Sequence, residues 1–281
     1  MTSRSGSLDP ILCAHLLRRV DEKLIDLLIS LADPDWDLQT IAPLWKVRDV
    51  SAHLLDTSLR KLSLVRDSWR VESVDIRSPQ DVITLVNRLN REAVTVYRRL
   101  SPPVLIDMMR VACEKSARFH ESLDPFAPAA FAVSWAGEQT SLNWFDTARE
   151  LTERWHHQQQ IRVATNRPGI MTRDLYHPVL DCFLRGLPHL YRDTAAPAGT
   201  ILLVEISGEC GGQWFLSRES AAWDLVKGPS GDFAARVTIP QALAWRLFTK
   251  GIDRESARAQ VAIEGNRDLG ERVLELTAIV G

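Results

Sequence analysis

The sequence predicts a protein of two parts, a bundle of α-helices followed by a small α+β domain. From residue 9 to residue 165, apolar residues recur at helical spacing, and the breaks between these segments are rich in Pro, Asp and Ser. After Pro197-Ala198-Gly199 the pattern changes to short strand-like segments divided by Gly, Ser and Pro. We therefore assign residues 1–168 to the bundle and residues 169–281 to the second domain.

Four main helices are predicted in the first part, at residues 10–31, 46–62, 79–101 and 141–163. Ser78 can cap the third of them, and Pro79 suits its first position. Pro102-Pro103 marks the end of that helix. Residues 104–140 are less regular and fall outside the four helices.

The second part begins after a linker at residues 166–169 and contains a run of strands together with helices. Strands are predicted at residues 200–207, 213–217, 222–227, 235–239 and 259–263. Helices are predicted at residues 172–190, 240–250 and 268–276. This order predicts an antiparallel sheet with helices covering one face.

Composition argues against several classes of function. The chain is 45% hydrophobic and 25% charged with a formal net charge of −2, which is typical of soluble globular proteins and gives no basic surface for nucleic acid. No apolar stretch approaches the ~20 residues of a membrane span. The apolar run at residues 11–17 lacks the form of a signal peptide. The four cysteines are scattered without a CxxC pair, which predicts reduced core thiols in a cytoplasmic protein.

One group of polar residues indicates chemistry. Glu153 and His157 stand four residues apart in the fourth helix and therefore share one face. His53 lies beside Val50 and Leu54, on the face of the second helix that should point into the bundle. Together the three side chains can bind one divalent metal ion and leave open coordination positions, as catalytic metal sites do. The spacing alone is also compatible with a solvated polar face and a hydrogen-bonded core histidine.

The other histidines and the tryptophans have simpler interpretations. His156 flanks the Glu153–His157 pair, and four further histidines have no partner at ligand spacing: His15, His120, His177 and His189. The nine tryptophans are expected in the core or in a pocket wall. Neither G-x-S-x-G nor G-x-G-x-x-G occurs in a strand-turn-helix setting, which disfavours a serine hydrolase triad and a dinucleotide site.

Two motifs and the tail together resemble a known family. Residues 45–54 resemble the W-x-V-x-D-V-x-x-H-L segment of the DinB-like metal-binding four-helix bundles, especially the mycothiol-dependent maleylpyruvate isomerase group. Residues 153–159 resemble the E-x-x-x-H motif on the last bundle helix of that group. The strand-rich tail, with residues 261–266 and the final helix, is similar to the sterol-carrier-like C-terminal domain of those proteins.

The resemblance implies a metal, a thiol and a reaction class. It makes His53, Glu153 and His157 the ligands of a divalent ion, with zinc as the preferred metal and water in the open position. It implies a low-molecular-weight thiol such as mycothiol, which the metal would convert to a nucleophilic thiolate. Attack on a maleyl-type double bond would give cis–trans isomerisation, and attack on an electrophile with a leaving group would give thiol transfer.

Further expectations concern substrate binding and partners. Arg246 and Lys250, on the predicted helix after Pro240, are candidates for holding the carboxylates of the substrate. The partners are then a small-molecule substrate and the thiol, and the protein is a monomer or a homodimer. Many related proteins carry an acidic residue where this chain has Gln160, which predicts weaker support of the metal ligands here.

Two other functions stay open at this point. In a metal-dependent hydrolase of the DinB-like superfamily, the same ion would activate water directly. In a non-catalytic protein, the second domain would bind a small apolar ligand. A requirement for added thiol separates the isomerase or transferase from the hydrolase, and tolerance of His53→Ala would favour the binding protein.

Overall fold

The computed structural model describes residues 8–69, 77–229 and 231–279, which form two compact units. The bundle unit contains residues 13–69, 77–130 and 142–170. The sheet unit contains residues 8–12, 131–141, 171–229 and 231–279. The chain therefore passes between the units more than once, and our assignment of residues 1–168 and 169–281 to two domains stays a prediction.

Five α-helices build the described part of the bundle unit: α1 Ala14–Ile29, α2 Val47–Lys61, α3 Pro79–Tyr97, α4 Pro102–Ser122 and α5 Asn143–Ala164. A π-helical turn, Leu62–Arg66, continues α2. Helices α1 and α2 each pack against both α4 and α5, and α3 packs against α2. These contacts make a four-helix arrangement of α1, α2, α4 and α5. Within the described ranges, no helix has both the length and the apolar composition that crossing a membrane requires.

Local hydrogen bonds explain where two of these helices begin. The Ser78 hydroxyl accepts a hydrogen bond from the backbone N–H of Asp81, and the Asp81 carboxylate accepts one from the backbone N–H of Ser78. This reciprocal capping starts α3 as predicted. At the start of α2, the Asp49 carboxylate accepts a hydrogen bond of 3.0 Å from the backbone N–H of Lys46. The first turn of α2 is thereby fixed one turn before His53.

The sequence prediction is wrong about α4. We expected Pro102-Pro103 to end a helix and the following residues to be less regular, whereas these prolines occupy the first turn of a 21-residue helix. Proline is tolerated there because the first backbone N–H groups of a helix have no partner within it. The buried face of α4 includes small and polar residues such as Ala112, Ser116 and Ala117, which weaken its apolar period. The prediction therefore replaced α4 by α3 in the bundle.

Buried charges connect the helices of the bundle. Arg154 on α5 donates to the carboxylate of Asp21 on α1, to Glu150 at 3.3 Å, and to the Ser116 hydroxyl on α4 at 2.7 Å. Burial raises the pKa of Asp21 to about 6, although the charge of Arg154 acts in the opposite direction. Since one guanidinium compensates two buried carboxylates, Arg154 is the shared partner on which this network depends.

Replacement of Arg154 should therefore destabilise the bundle strongly. We expect Arg154→Met to lower the free energy of unfolding by about 3–5 kcal/mol, because two buried carboxylates lose their cation. Arg118→Met on α4 is a matched control, since Arg118 pairs with Glu114 at 2.5 Å and its side chain is 69% exposed. That change should cost less than about 1 kcal/mol. Urea denaturation measures both, and equal losses would contradict the assigned role of Arg154.

The sheet unit combines a five-stranded sheet with five short helices among the described residues. The helices are α6 Arg173–Leu184, α7 Leu187–Tyr191, α8 Gln241–Phe248, α9 Arg254–Arg258 and α10 Arg267–Glu271. The strands are β1 Ile201–Ser207, β2 Gly212–Arg218, β3 Trp223–Val226, β4 Ala235–Pro240 and β5 Ala262–Gly265. Their order across the sheet is β3-β2-β1-β4-β5.

The sheet is mixed, whereas we predicted an antiparallel one. Strands β1 and β4 run parallel, with Leu202 opposite Ala235, and the other three pairs are antiparallel. Strand β2 occupies one side of β1, so β4 pairs with the other side. The alternation of apolar residues reports which face of a strand is buried but not which strand lies beside it. The sequence pattern therefore could not reveal the parallel pair.

Smaller differences concern the ends of elements in the sheet unit. The predicted helix over residues 172–190 is divided into α6 and α7. The predicted strand over residues 259–263 is displaced, because a short helix, α9, precedes it and β5 begins at Ala262. The Asp253 carboxylate starts α9 by accepting a hydrogen bond of 2.8 Å from the backbone N–H of Ser256. Such a cap depends on one polar side chain, so the spacing of apolar residues gives little sign of the helix that it starts.

Candidate metal centre

Helices α2 and α5 bring His53, Glu153 and His157 together in the bundle unit. One ligand atom from each residue lies within 4.8 Å of the other two. Nε2 of His157 is 3.6 Å from Oε2 of Glu153, and the ring centroids of His53 and His157 are 4.6 Å apart. In the part of the chain that the structure describes, no other group of three His, Cys, Asp or Glu residues meets this spacing.

The antiparallel packing of α2 and α5 brings these three side chains together. At the end of α2, Nζ of Lys61 lies 2.6 Å from Oδ2 of Asp146, near the start of α5. Both side chains are buried. His53, nearer the start of α2, then lies opposite the later turns of α5, where Glu153 and His157 share one face.

Gln160 orients the His157 ring. Nδ1 of His157 is 3.0 Å from Oε1 of Gln160. Because an amide oxygen only accepts, Nδ1 donates this hydrogen bond, and Nε2 is the ring nitrogen on the side of Glu153. The amide oxygen of Gln160 thus supplies a hydrogen bond at the position where many related proteins carry an acidic residue, and the weaker support that we predicted there stays a prediction.

His53 has the environment of a neutral ligand. Its Nδ1 is buried and has no hydrogen-bond partner among the described residues. Burial lowers the pKa of His53 well below its ordinary value, and the neighbouring His157 lowers it further. The ring is thus neutral at neutral pH, with a lone pair available for a cation. Two imidazoles and one carboxylate form a donor set that suits zinc in a catalytic site.

Glu153 is ionised in this setting. Burial raises the pKa of its carboxyl group, but the neighbouring His157, His156 and Arg149 side chains outweigh burial, and the pKa of Glu153 falls below its ordinary value. His156 lies beside the centre without joining the three-residue group. Its Nδ1 donates to the backbone oxygen of Thr152 at 2.8 Å, and its ring centroid is 4.0 Å from that of His157. His156 thus flanks the centre, although the spacing of three residues would also have allowed it to pair with Glu153; the family resemblance favoured His157.

Trp45 forms one wall of the centre. Its ring centroid lies 4.7 Å from that of His53 and 5.8 Å from that of His157. An aromatic wall limits the access of water and strengthens electrostatic interactions at the centre. The position agrees with the prediction that tryptophans line the core or a pocket.

Comparison with known proteins identifies the family. A sequence profile of the mycothiol maleylpyruvate isomerase N-terminal domain matches residues 17–162, just over half of the chain. The chain belongs to this family. The matched range includes all three residues of the centre. No curated protein matches the sequence.

Two solved structures of maleylpyruvate isomerase resemble the protein. A crystal structure of a mutant of the mycothiol-dependent maleylpyruvate isomerase matches with a TM-score of 0.50 and 12% identity, over 83% of this chain and 86% of that chain. A crystal structure of the mycothiol-dependent maleylpyruvate isomerase itself matches over the same shares with a TM-score of 0.49 and 13% identity. The predicted fold class, a helical region followed by a small α+β domain, is thereby confirmed for this family member.

Arg246 and Lys250, our sequence candidates for substrate binding, lie in the sheet unit. Arg246 is on α8, where its guanidinium carbon is 5.5 Å from the ring centroid of Trp245. Its Nε is buried without a hydrogen-bond partner in the described ranges. Lys250 is exposed and follows the end of α8. The structure describes the two units separately, and the role of both residues stays a prediction.

Sequence reasoning singled out the position of Gln160 but missed two other side chains beside the centre. Asp146 and Arg149 lie on the same α5 face as Glu153, and Gln160 contacts His157. A signal was present, because charged residues recur every three or four positions along the whole of this segment. The charged face of such a helix either contacts solvent or is buried with its charges paired to other side chains. Only the structure distinguishes the two cases.

The hydrogen bond from His157 to Gln160 can be tested through metal affinity. Gln160→Met removes the acceptor while keeping the volume, and we expect zinc to bind about 10- to 100-fold more weakly. Gln160→Glu keeps an oxygen acceptor and should bind zinc at least as tightly as the unchanged protein. Competition with a chromophoric chelator measures both affinities. Equal zinc affinity in the methionine variant would show that Gln160 does not support the ligand.

Proposed function

We propose that this chain is a zinc-dependent isomerase that uses mycothiol to convert a maleyl-type cis double bond to the trans form. The observation that supports it is the convergence of His53, Glu153 and His157 within 4.8 Å, in the domain that defines the family. The solved relatives carry the name of a mycothiol-dependent maleylpyruvate isomerase. Maleylpyruvate is accordingly the first substrate to test.

The side chains of this centre suit a metal that activates a thiol. Three protein ligands would leave positions open for an external group. Zinc bound there would hold the cofactor thiol as a thiolate at neutral pH. The chain supplies neutral His53, ionised Glu153 and the His157 ring that Gln160 orients, and Trp45 forms an apolar wall against water.

When bound, the thiol cofactor would supply a nucleophile that adds reversibly to one alkene carbon, so that the double bond could rotate and re-form without an oxidant and without consumption of thiol. The protein must hold the thiol beside the substrate and orient the carboxylates.

Metal content is the first test of the proposal. We expect about one zinc per chain by elemental mass spectrometry in the unchanged protein after zinc loading and desalting. His157→Ala should lose the metal. His15→Ala is a matched control, because His15 is exposed on α1 and distant in sequence from the ligands. No bound metal in the unchanged protein would exclude the catalytic proposal and favour a ligand-binding role.

Thiol dependence is the second part of the test. The zinc-loaded protein should isomerise maleylpyruvate only when mycothiol is present, and His157→Ala should lose at least 100-fold in rate, as is typical when a catalytic electrostatic group is removed. His15→Ala should keep full activity. Metal-dependent hydrolysis without thiol would instead identify a hydrolase of the same superfamily.

A further inference from the structure

Two arginines extend from the helices that carry the centre. Arg149 on α5 donates from Nε and Nη2 to Oδ1 of Asp146, at 3.1 and 2.7 Å. The other oxygen of Asp146 is 2.6 Å from Nζ of Lys61. Asp146 therefore serves two cations, and the group of three carries a net positive charge.

Arg60 on α2 is held in a comparable way. Its Nη2 lies 2.9 Å from Oδ2 of Asp56 and donates to Oδ1 of Asn90 at 2.8 Å. Neighbours on α2 and α3 thus restrict the guanidinium. A restricted guanidinium loses little conformational entropy when it binds a ligand.

Both guanidinium groups keep donors for an external partner. Within the ranges that the structure describes, Nη1 of Arg149 makes no hydrogen bond, and neither do Nε and Nη1 of Arg60. The side chain of Arg149 is 21% exposed and that of Arg60 is 20% exposed, so both are accessible to a ligand but mostly buried. For comparison, the side chain of Arg118 in an ordinary surface pair is 69% exposed.

The position of the two arginines along the helices brings them to one side of the centre. Arg149 precedes Glu153 by four residues, a rise of ~6 Å on the same face. Arg60 follows His53 by seven residues, a rise of ~10 Å on the same face. Because α2 and α5 are antiparallel, both displacements have the same direction. Consistent with this, the charge of Arg149 lowers the pKa of Glu153, and the charge of Arg60 lowers that of His53.

We propose that Arg149 and Arg60 bind a carboxylate of the substrate beside the metal centre, with Arg149 as the principal contact. The inference rests on the proposed function and assigns its substrate-binding residues in the bundle unit. A guanidinium matches a carboxylate in shape and charge and can donate two hydrogen bonds to it. A dicarboxylate fits this site because one end can face Arg149 while the reacting carbons lie towards the centre. Asp146 and Lys61 position Arg149 and do not touch the substrate.

Direct binding of maleate tests this inference without turnover. Maleate is a cis dicarboxylate that calorimetry can titrate into zinc-loaded protein. We expect Arg149→Gln to weaken maleate binding at least tenfold and Arg149→Lys to restore part of the loss. Arg60→Gln should weaken it less. Arg118→Gln, on the exposed face of α4, is the matched control and should leave the affinity unchanged.

Kinetics and metal content separate a binding role from a structural one. In Arg149→Gln, we expect KM for maleylpyruvate to rise at least tenfold while kcat and the affinity for mycothiol change less than threefold. The zinc content should equal that of the unchanged protein. Loss of zinc in this variant would overturn the inference, because Arg149 would then act through the ligands.

The outcomes also distinguish the inference from the proposed function. If the unchanged protein binds maleate and Arg149→Gln does not, but neither isomerises maleylpyruvate, the binding site stands and the proposed function fails. If the unchanged protein isomerises maleylpyruvate and Arg149→Gln has the same KM and the same maleate affinity, the inference fails and the function stands. Absence of maleate binding in the unchanged protein would also overturn the inference.

Discussion

The centre depends on one contact, the buried ion pair between Lys61 on α2 and Asp146 on α5. Its 2.6 Å distance holds the end of one helix against the start of the other. Both charges are buried, so breaking this pair would remove part of the compensation of two buried charges, and the helices cannot slide without that cost. This fixed register places His53 opposite Glu153 and His157, and it leaves the second oxygen of Asp146 to orient Arg149.

Helix α5 carries an unusual share of this chemistry. Most of its residues are buried, including Asp146, Glu150, Arg154 and His157. Each buried charge has an opposite charge beside it, which limits the cost of desolvation. Several buried polar atoms nevertheless have no hydrogen-bond partner among the described residues, and Nδ1 of His53 is the one at the centre. Unpaired buried polar atoms concentrate at functional sites, where they are retained for binding rather than stability.

The sequence predicted the parts of the structure that depend on local chemistry. The cap at Ser78 and the spacing of Glu153 and His157 are properties of single segments, and both appear in the structure. His53 was a candidate because it lies on the inward face of its own helix, and the family resemblance connected it with Glu153 and His157 on α5. The parallel pairing of β1 with β4 depends on distant segments and could not be read from alternation. Helix α4 was missed because its buried face is small and polar. The supporting roles of Asp146 and Gln160 could not be predicted, because the sequence does not show which helix faces are buried.

X-ray absorption at the zinc edge tests the central claim most directly, because it reports the atoms bound to the metal. The claim is that two histidines and one glutamate hold one ion with an open position. Zinc-loaded protein should show only nitrogen and oxygen ligands at about 2.0–2.2 Å, with the signature of two imidazoles, and mycothiol should add sulfur at about 2.3 Å. All four cysteines are buried and free of disulfides. Sulfur bound to zinc before thiol is added, or a spectrum unchanged in His53→Ala, would contradict the account.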